Sequence, residues 1–69
     1  MREWKREGYA VVEVALDGDL HEFEVMQNGE VVATITPETI EDMEQIVTDL
    51  DNGEDVNGWE DGMGNTISI

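Results

Sequence analysis

An α+β domain, in which an antiparallel sheet carries one amphipathic helix across its apolar face, is the fold class this sequence predicts. Three observations predict it. Valine-rich runs between residues 9 and 36 alternate with period two and are parted by Asp17-Gly18 and Asn28-Gly29. A proline-led segment then opens a run in which Ile40, Met43, Val47 and Leu50 recur at steps of three and four, and residues 65–69 return to alternation. The expected order is β-β-β-α-β: three meandering strands, a helix packed on one face and a C-terminal strand. All 69 residues form one domain, with 1–7 a basic N-terminal segment and 54–64 an acidic, glycine-rich loop. A chain this short has room for one small core, and without cysteine it has neither a disulfide framework nor a zinc-thiolate site.

Residues 9–16 (YAVVEVAL) place Ala10, Val12, Val14 and Leu16 on one face, which reads as the first strand. In residues 20–26 Phe23 and Val25 alternate with Glu22 and Glu24. A two-residue Asp-Gly loop between these strands pairs position 16 with 19, Val12 with Phe23 and Ala10 with Val25, leaving Glu13, Glu22 and Glu24 on the opposite face. At Asn28-Gly29 a two-residue loop would turn Val31, Ala33 and Ile35 to the acidic face. A three-residue loop with Gly29 in the left-handed conformation aligns Val25 with Val31 and Phe23 with Ala33, and is preferred. Thr36-Pro37-Glu38-Thr39 signals a helix start, with the Thr36 hydroxyl at N-cap, Pro37 at the first helical position and acids in the first turn. Ile46 widens the apolar stripe, and Asn52-Gly53 is the stop. Residues 54–64 lack periodicity and form a loop; Ile67 and Ile69 mark the closing strand.

Charge is the second message. Arg2, Lys5 and Arg6 are the whole basic inventory against 18 acidic residues, and the net charge is -15. A magnitude of roughly 2 to 8 suffices to keep a small domain soluble. Such a polyanion repels nucleic acid and anionic lipid, so its expected partner is a basic protein, with no direct nucleic acid and no membrane. On the helix, Glu38, Glu41, Asp42, Gln45 and Asp49 line the outer face, with no lysine or arginine three or four positions on to offset them. Carboxylates one turn apart are spaced about 5 to 6 Å, near the spacing of phosphates along a strand, so a rigid row of them suits a groove built for nucleic acid. Asp51, Glu54, Asp55, Glu60 and Asp61 extend the row into the loop. Trp59 stands among them, either as a lid over a thin core or as an exposed anchor for a partner. The competing account of the acids is a solvated face, or adaptation to high salt in a small module of other function.

Catalysis is not expected. His21, the only histidine, falls on the apolar face with no nucleophile to serve, and Glu22 and Glu24 share a strand face in a domain too small to enclose a substrate. Residues 49–55 fit no calcium-loop frame, because glycine and glutamate do not fall at the required positions. No metal and no cofactor are therefore expected. No apolar run reaches the roughly 18 residues of a membrane span and no signal-peptide pattern follows Met1, so the expected compartment is the cytoplasm.

The small size, the β-β-β-α-β order, the acidic helix and loop ending in Asn57-Gly58-Trp59 and the cation-free body together resemble the small phage-borne inhibitors of the anti-CRISPR and DNA-mimic type. That likeness is one of layout and charge. It implies a protein that occupies the basic nucleic-acid groove of a nuclease and excludes DNA by competition. An immunity or antitoxin protein paired with a dedicated toxin would use the same mechanism.

Overall fold

The computed structural model describes residues 2–69. Four antiparallel strands, β1 (Glu3–Arg6), β2 (Tyr9–Asp17), β3 (Leu20–Gln27) and β4 (Glu30–Ile35), lie side by side in chain order, and the helix α1 (Ile40–Asp51) follows them. The general class is α+β, but the order is ββββα. Two expectations are corrected by it. The basic N-terminal segment is itself a strand, paired from Glu3↔Val12 to Arg6↔Tyr9, because alternation puts Trp4 on the core face between Glu3 and Lys5. Trp4 lies against Phe23 with ring centroids 5.9 Å apart. Residues 65–69 form no strand, apart from one isolated bridge, Glu60↔Thr66. Their backbone is held by the preceding loop: Gly58 N–H donates to the Ile67 carbonyl at 2.8 Å and Ile67 N–H to the Trp59 carbonyl at 2.7 Å.

The first hairpin corrects the expected register. Its loop is Gly18-Asp19, closed by Asp17↔Leu20, and a bulge at Leu16 shifts the ladder to Ala15↔His21, Glu13↔Phe23 and Val11↔Val25. A one-residue slip turns every side chain of β2 over. Val11 and Glu13 therefore face the core, while Ala10, Val12 and Val14 share the outer face with Glu22 and Glu24, and Leu16 is exposed. Trp4 favours this choice, since its cross-strand partner is Val11. The second hairpin is corrected too. Asn28 and Gly29, at φ 54° and 81°, make a two-residue loop, closed by Gln27↔Glu30. A bulge at Val32, between the pairs Met26↔Val31 and Val25↔Ala33, then returns Ala33 and Ile35 to the core face. The bulge does what the three-residue loop was expected to do, and it leaves Val31 and Val32 exposed.

The helix begins later than the proline suggests. Thr39, in extended backbone, is the N-cap and its hydroxyl accepts from Asp42 N–H at 3.1 Å; Pro37 is buried ahead of the helix. Thr39 has an acid three residues on, the arrangement that favours a cap. Ile40 then falls at 41 % exposure, and the packed stripe is Met43, Ile46, Val47 and Leu50. The stop at Asn52-Gly53 is as expected: Gly53 N–H donates to the Leu50 carbonyl and Glu54 N–H to the Asp49 carbonyl. The core lies between helix and sheet and consists of Trp4, Val11, Phe23, Val25, Ile35, Val47 and Leu50, with Val56 and Ile67 closing it from the C-terminal segment. Among the described residues no helix is long and apolar enough to cross a membrane.

Candidate functional site

The two ends of the helix differ in how their carboxylates are used. At its C-terminal end, β1 and β2 bring donors. Arg6 Nη2 donates to the Leu50 carbonyl at 2.7 Å and to the Glu54 carbonyl at 3.4 Å, supplying positive charge at the negative end of the helix dipole. Trp4 Nε1 donates to Asp51 at 2.8 Å, and the Tyr9 hydroxyl to Asp55 at 3.0 Å. The Asn57 amide, then the Tyr9 hydroxyl, hold the Asp55 carboxyl below its usual range, while burial pushes the Tyr9 phenol up.

At the N-terminal end the acids gather without cations. Glu38 from the β4–α1 connection, Asp42 and Gln45 from the helix, and Trp59, Glu60 and Asp61 from the C-terminal loop line one cleft of about 520 Å³, with Ile35, Pro37 and Ile46 among its apolar lining. The loop is fixed there by its own geometry. Asp61 accepts from the Met63 and Asn65 amides at 2.9 Å each, and Gly62 N–H donates to the Thr34 carbonyl at 2.8 Å. A Cβ at position 62 would stand 2.6 Å from Thr36 Oγ1, so a larger residue there requires the exposed Thr36 side chain to turn away.

The ten residues singled out from the sequence thus divide. Glu38, Asp42, Trp59, Glu60 and Asp61 meet in the cleft. Glu41 is exposed on the helix beside it, and Asp49, half-buried, accepts from Gln45 at 2.9 Å. Asp51, Glu54 and Asp55 lie at the other end among Trp4, Arg6 and Tyr9. Trp59 packs against the core with one side and lines the cleft with the other.

A second ionic group was not anticipated. Glu13, expected on the outer face, is 3 % exposed on the core face and receives Arg2 through Nε at 3.2 Å, Nη2 at 3.3 Å and the backbone amide at 3.3 Å. His21 Nδ1 lies 3.0 Å from Oε2, the oxygen that Arg2 Nη2 also reaches; a carboxylate only accepts, so that nitrogen carries the proton. Burial pushes the Glu13 carboxyl up, but the hydrogen bonds from Arg2 and His21 outweigh it and leave the carboxyl below its usual range. The available signal was the pairing of Val11, not Val12, with a large apolar neighbour in the N-terminal segment.

No group of three or more His, Asp or Glu side chains among the described residues is placed to hold a metal ion. The cleft offers carboxylates, one indole and an amide, a set suited to attracting and holding cationic groups. Compared with known proteins, the chain matches no protein family, no curated protein and no solved structure.

Proposed function

We propose that this protein is an acidic inhibitor that binds a basic, nucleic-acid-handling protein and occupies the groove its nucleic acid would use. The observation that carries the reading is the separation of charge. Arg2 is engaged by Glu13 and Arg6 by the helix C-terminus, so their cations do not reach the Glu38, Glu41, Asp42, Glu60 surface at the other end. Carboxylates kept unpaired at close spacing cost the free protein repulsion, and that cost is recovered on a cationic partner. The mechanism is competition and needs no catalytic group.

The test is capture from a lysate of the source cells at moderate salt. The bait should retain a basic nucleic-acid-binding protein, and added duplex DNA or RNA should displace it, because one groove serves both ligands. Reversing Glu38, Glu41 and Asp42 to lysine should abolish capture chiefly by slowing association, with the circular dichroism unchanged. Capture that survives the reversal, or that nucleic acid does not compete, would leave the acids as an adaptation to salt.

A further inference from the structure

β4 is an outermost strand of the sheet, and its outer edge is nearly unpaired. One backbone bond from outside the sheet reaches it, from Gly62 N–H to the Thr34 carbonyl, so the edge from Glu30 to Ala33 has no such partner among the described residues. The C-terminal segment passes close by without pairing: Ile69 N–H donates instead to Asn57 Oδ1 at 3.1 Å and Ile67 N–H to the Trp59 carbonyl. A gap of about 320 Å³ opens beside Val31, Val32 and Met63, and another of about 240 Å³ between Val32, Ala33 and residues 66–69. The side chains presented here are apolar, Val31 and Val32 at 48 % and 47 % exposure and Met63 at 87 %. Exposed edges are ordinarily guarded by lysine, proline, an inward charge or a bulge, and β4 has the bulge at Val32. The opposite edge strand, β1, carries Lys5 and Arg6, whereas β4 carries Glu30 alone.

We propose that the β4 edge receives an extended, basic segment of a partner protein as a fifth strand. Its backbone pairs with Glu30 to Ala33, its aliphatic side chains cover Val31, Val32 and Met63, and its lysines or arginines meet Glu24, Glu30 and Asp61. Charge complementarity selects this occupant. A second copy would bring a further net charge of -15 to an edge that has no cation to offset it. A basic strand gains the open backbone groups and the field together. The inference rests on the polyanion reading for the sign of the occupant, and does not require that the partner handle nucleic acid.

The experiment titrates the ¹⁵N-labelled full chain with a capped peptide of about ten residues alternating lysine and valine, a length that spans one strand. The comparison peptide is N-methylated at every residue, which keeps charge and side chains but removes the backbone donors. Edge pairing predicts amide shifts confined to residues 30–34, Gly62 and Met63, and binding weakened at least about tenfold by methylation. Changing Val31 and Val32 together to serine should weaken the unmethylated peptide several-fold with the fold retained, since both side chains are half exposed. Equal binding of the two peptides, with shifts centred on Glu38, Asp42 and Glu60, overturns the edge inference and leaves the polyanion reading standing. Failure of both peptides to bind sinks both. A concentration-dependent dimer in sedimentation, with β4 amides protected from exchange, would assign the edge to a second copy and overturn the proposal.

Discussion

Glu13 sits among Val11 and Phe23 because four donors converge on it, three from Arg2 and one from His21. The pair is lopsided: the Arg2 side chain is 56 % exposed while the carboxylate is 3 % exposed, so the desolvation falls almost wholly on Glu13. Replacing it by glutamine, which accepts through one oxygen and bears no charge, should cost about 1–3 kcal/mol in urea unfolding. Leucine should cost less than glutamine, because Arg2 can turn to water and the site is apolar. The sign of the pH dependence follows. Glu13 and Asp55 both titrate lower in the folded chain than in the unfolded one. The unfolded chain then binds more protons as pH drops, and their contribution, full above the ordinary carboxylate range near about 4, is lost as pH falls through and below it. Measured downward from about pH 5, the melting temperature should fall more steeply, or rise less steeply, for the parent than for Glu13→Gln, because the other carboxylates are common to both chains. An unchanged slope would mean that Glu13 is not the carboxylate being titrated.

The helix separates its faces by energy. Leu50 is buried at 1 % exposure, and Leu50→Ala should destabilise by about 2–5 kcal/mol, whereas Glu41→Gln, exposed and unpaired, should stay within about 0.5 kcal/mol or stabilise slightly. Thr39→Ala should cost about 1 kcal/mol by removing the cap, and Thr36→Ala should not disturb the helix start. Urea titrations of the four variants rank them. If Thr36→Ala proved the more costly cap variant by hydrogen exchange of the first helical turn, the helix would start where the proline suggested. The helix, its stripe and its stop are legible in the sequence because period and cap chemistry are local. Which face of β2 is buried is not. In the run from Tyr9 to Asp17 both faces carry valine, so alternation alone leaves two registers, and the choice is made by Trp4 and Arg2, about ten residues earlier in the chain, together with a bulge at Leu16. Likewise 65–69 alternates like a strand, yet β1 supplies the fourth strand and the tail bonds to its own loop. The candidate cleft is half legible for the same reason: Glu38 and Asp42 belong to the local helix signal, but their meeting with Trp59, Glu60 and Asp61 depends on the Gly62–Thr34 bond.

At the scale of the whole molecule the charges share one field. The protein extends 30 × 23 × 19 Å, and the Debye length is about 30 Å at 0.01 M salt and about 3 Å at 1 M. At low salt, therefore, every carboxylate feels the net charge of -15, while at molar salt only near neighbours interact. The two opposing contacts, Arg2 with Glu13 and Arg6 with the helix carbonyls, are short and partly buried, so salt weakens them far less than it weakens the diffuse repulsion. Melting temperature should consequently rise with sodium chloride between about 0.01 and 1 M. Reversing Glu38, Glu41 and Asp42 to lysine adds two charges at each position, taking -15 to -9, and the same titration on that variant should give a smaller rise. A melting temperature flat in salt for the parent chain would show the acids to be compensated locally, which would remove the unpaired surface on which the proposed partner binding rests. Folding that appears only in molar potassium chloride would instead make the charge a property of the solvent the protein works in, since a mimic must stay folded at the moderate salt where its partner holds nucleic acid.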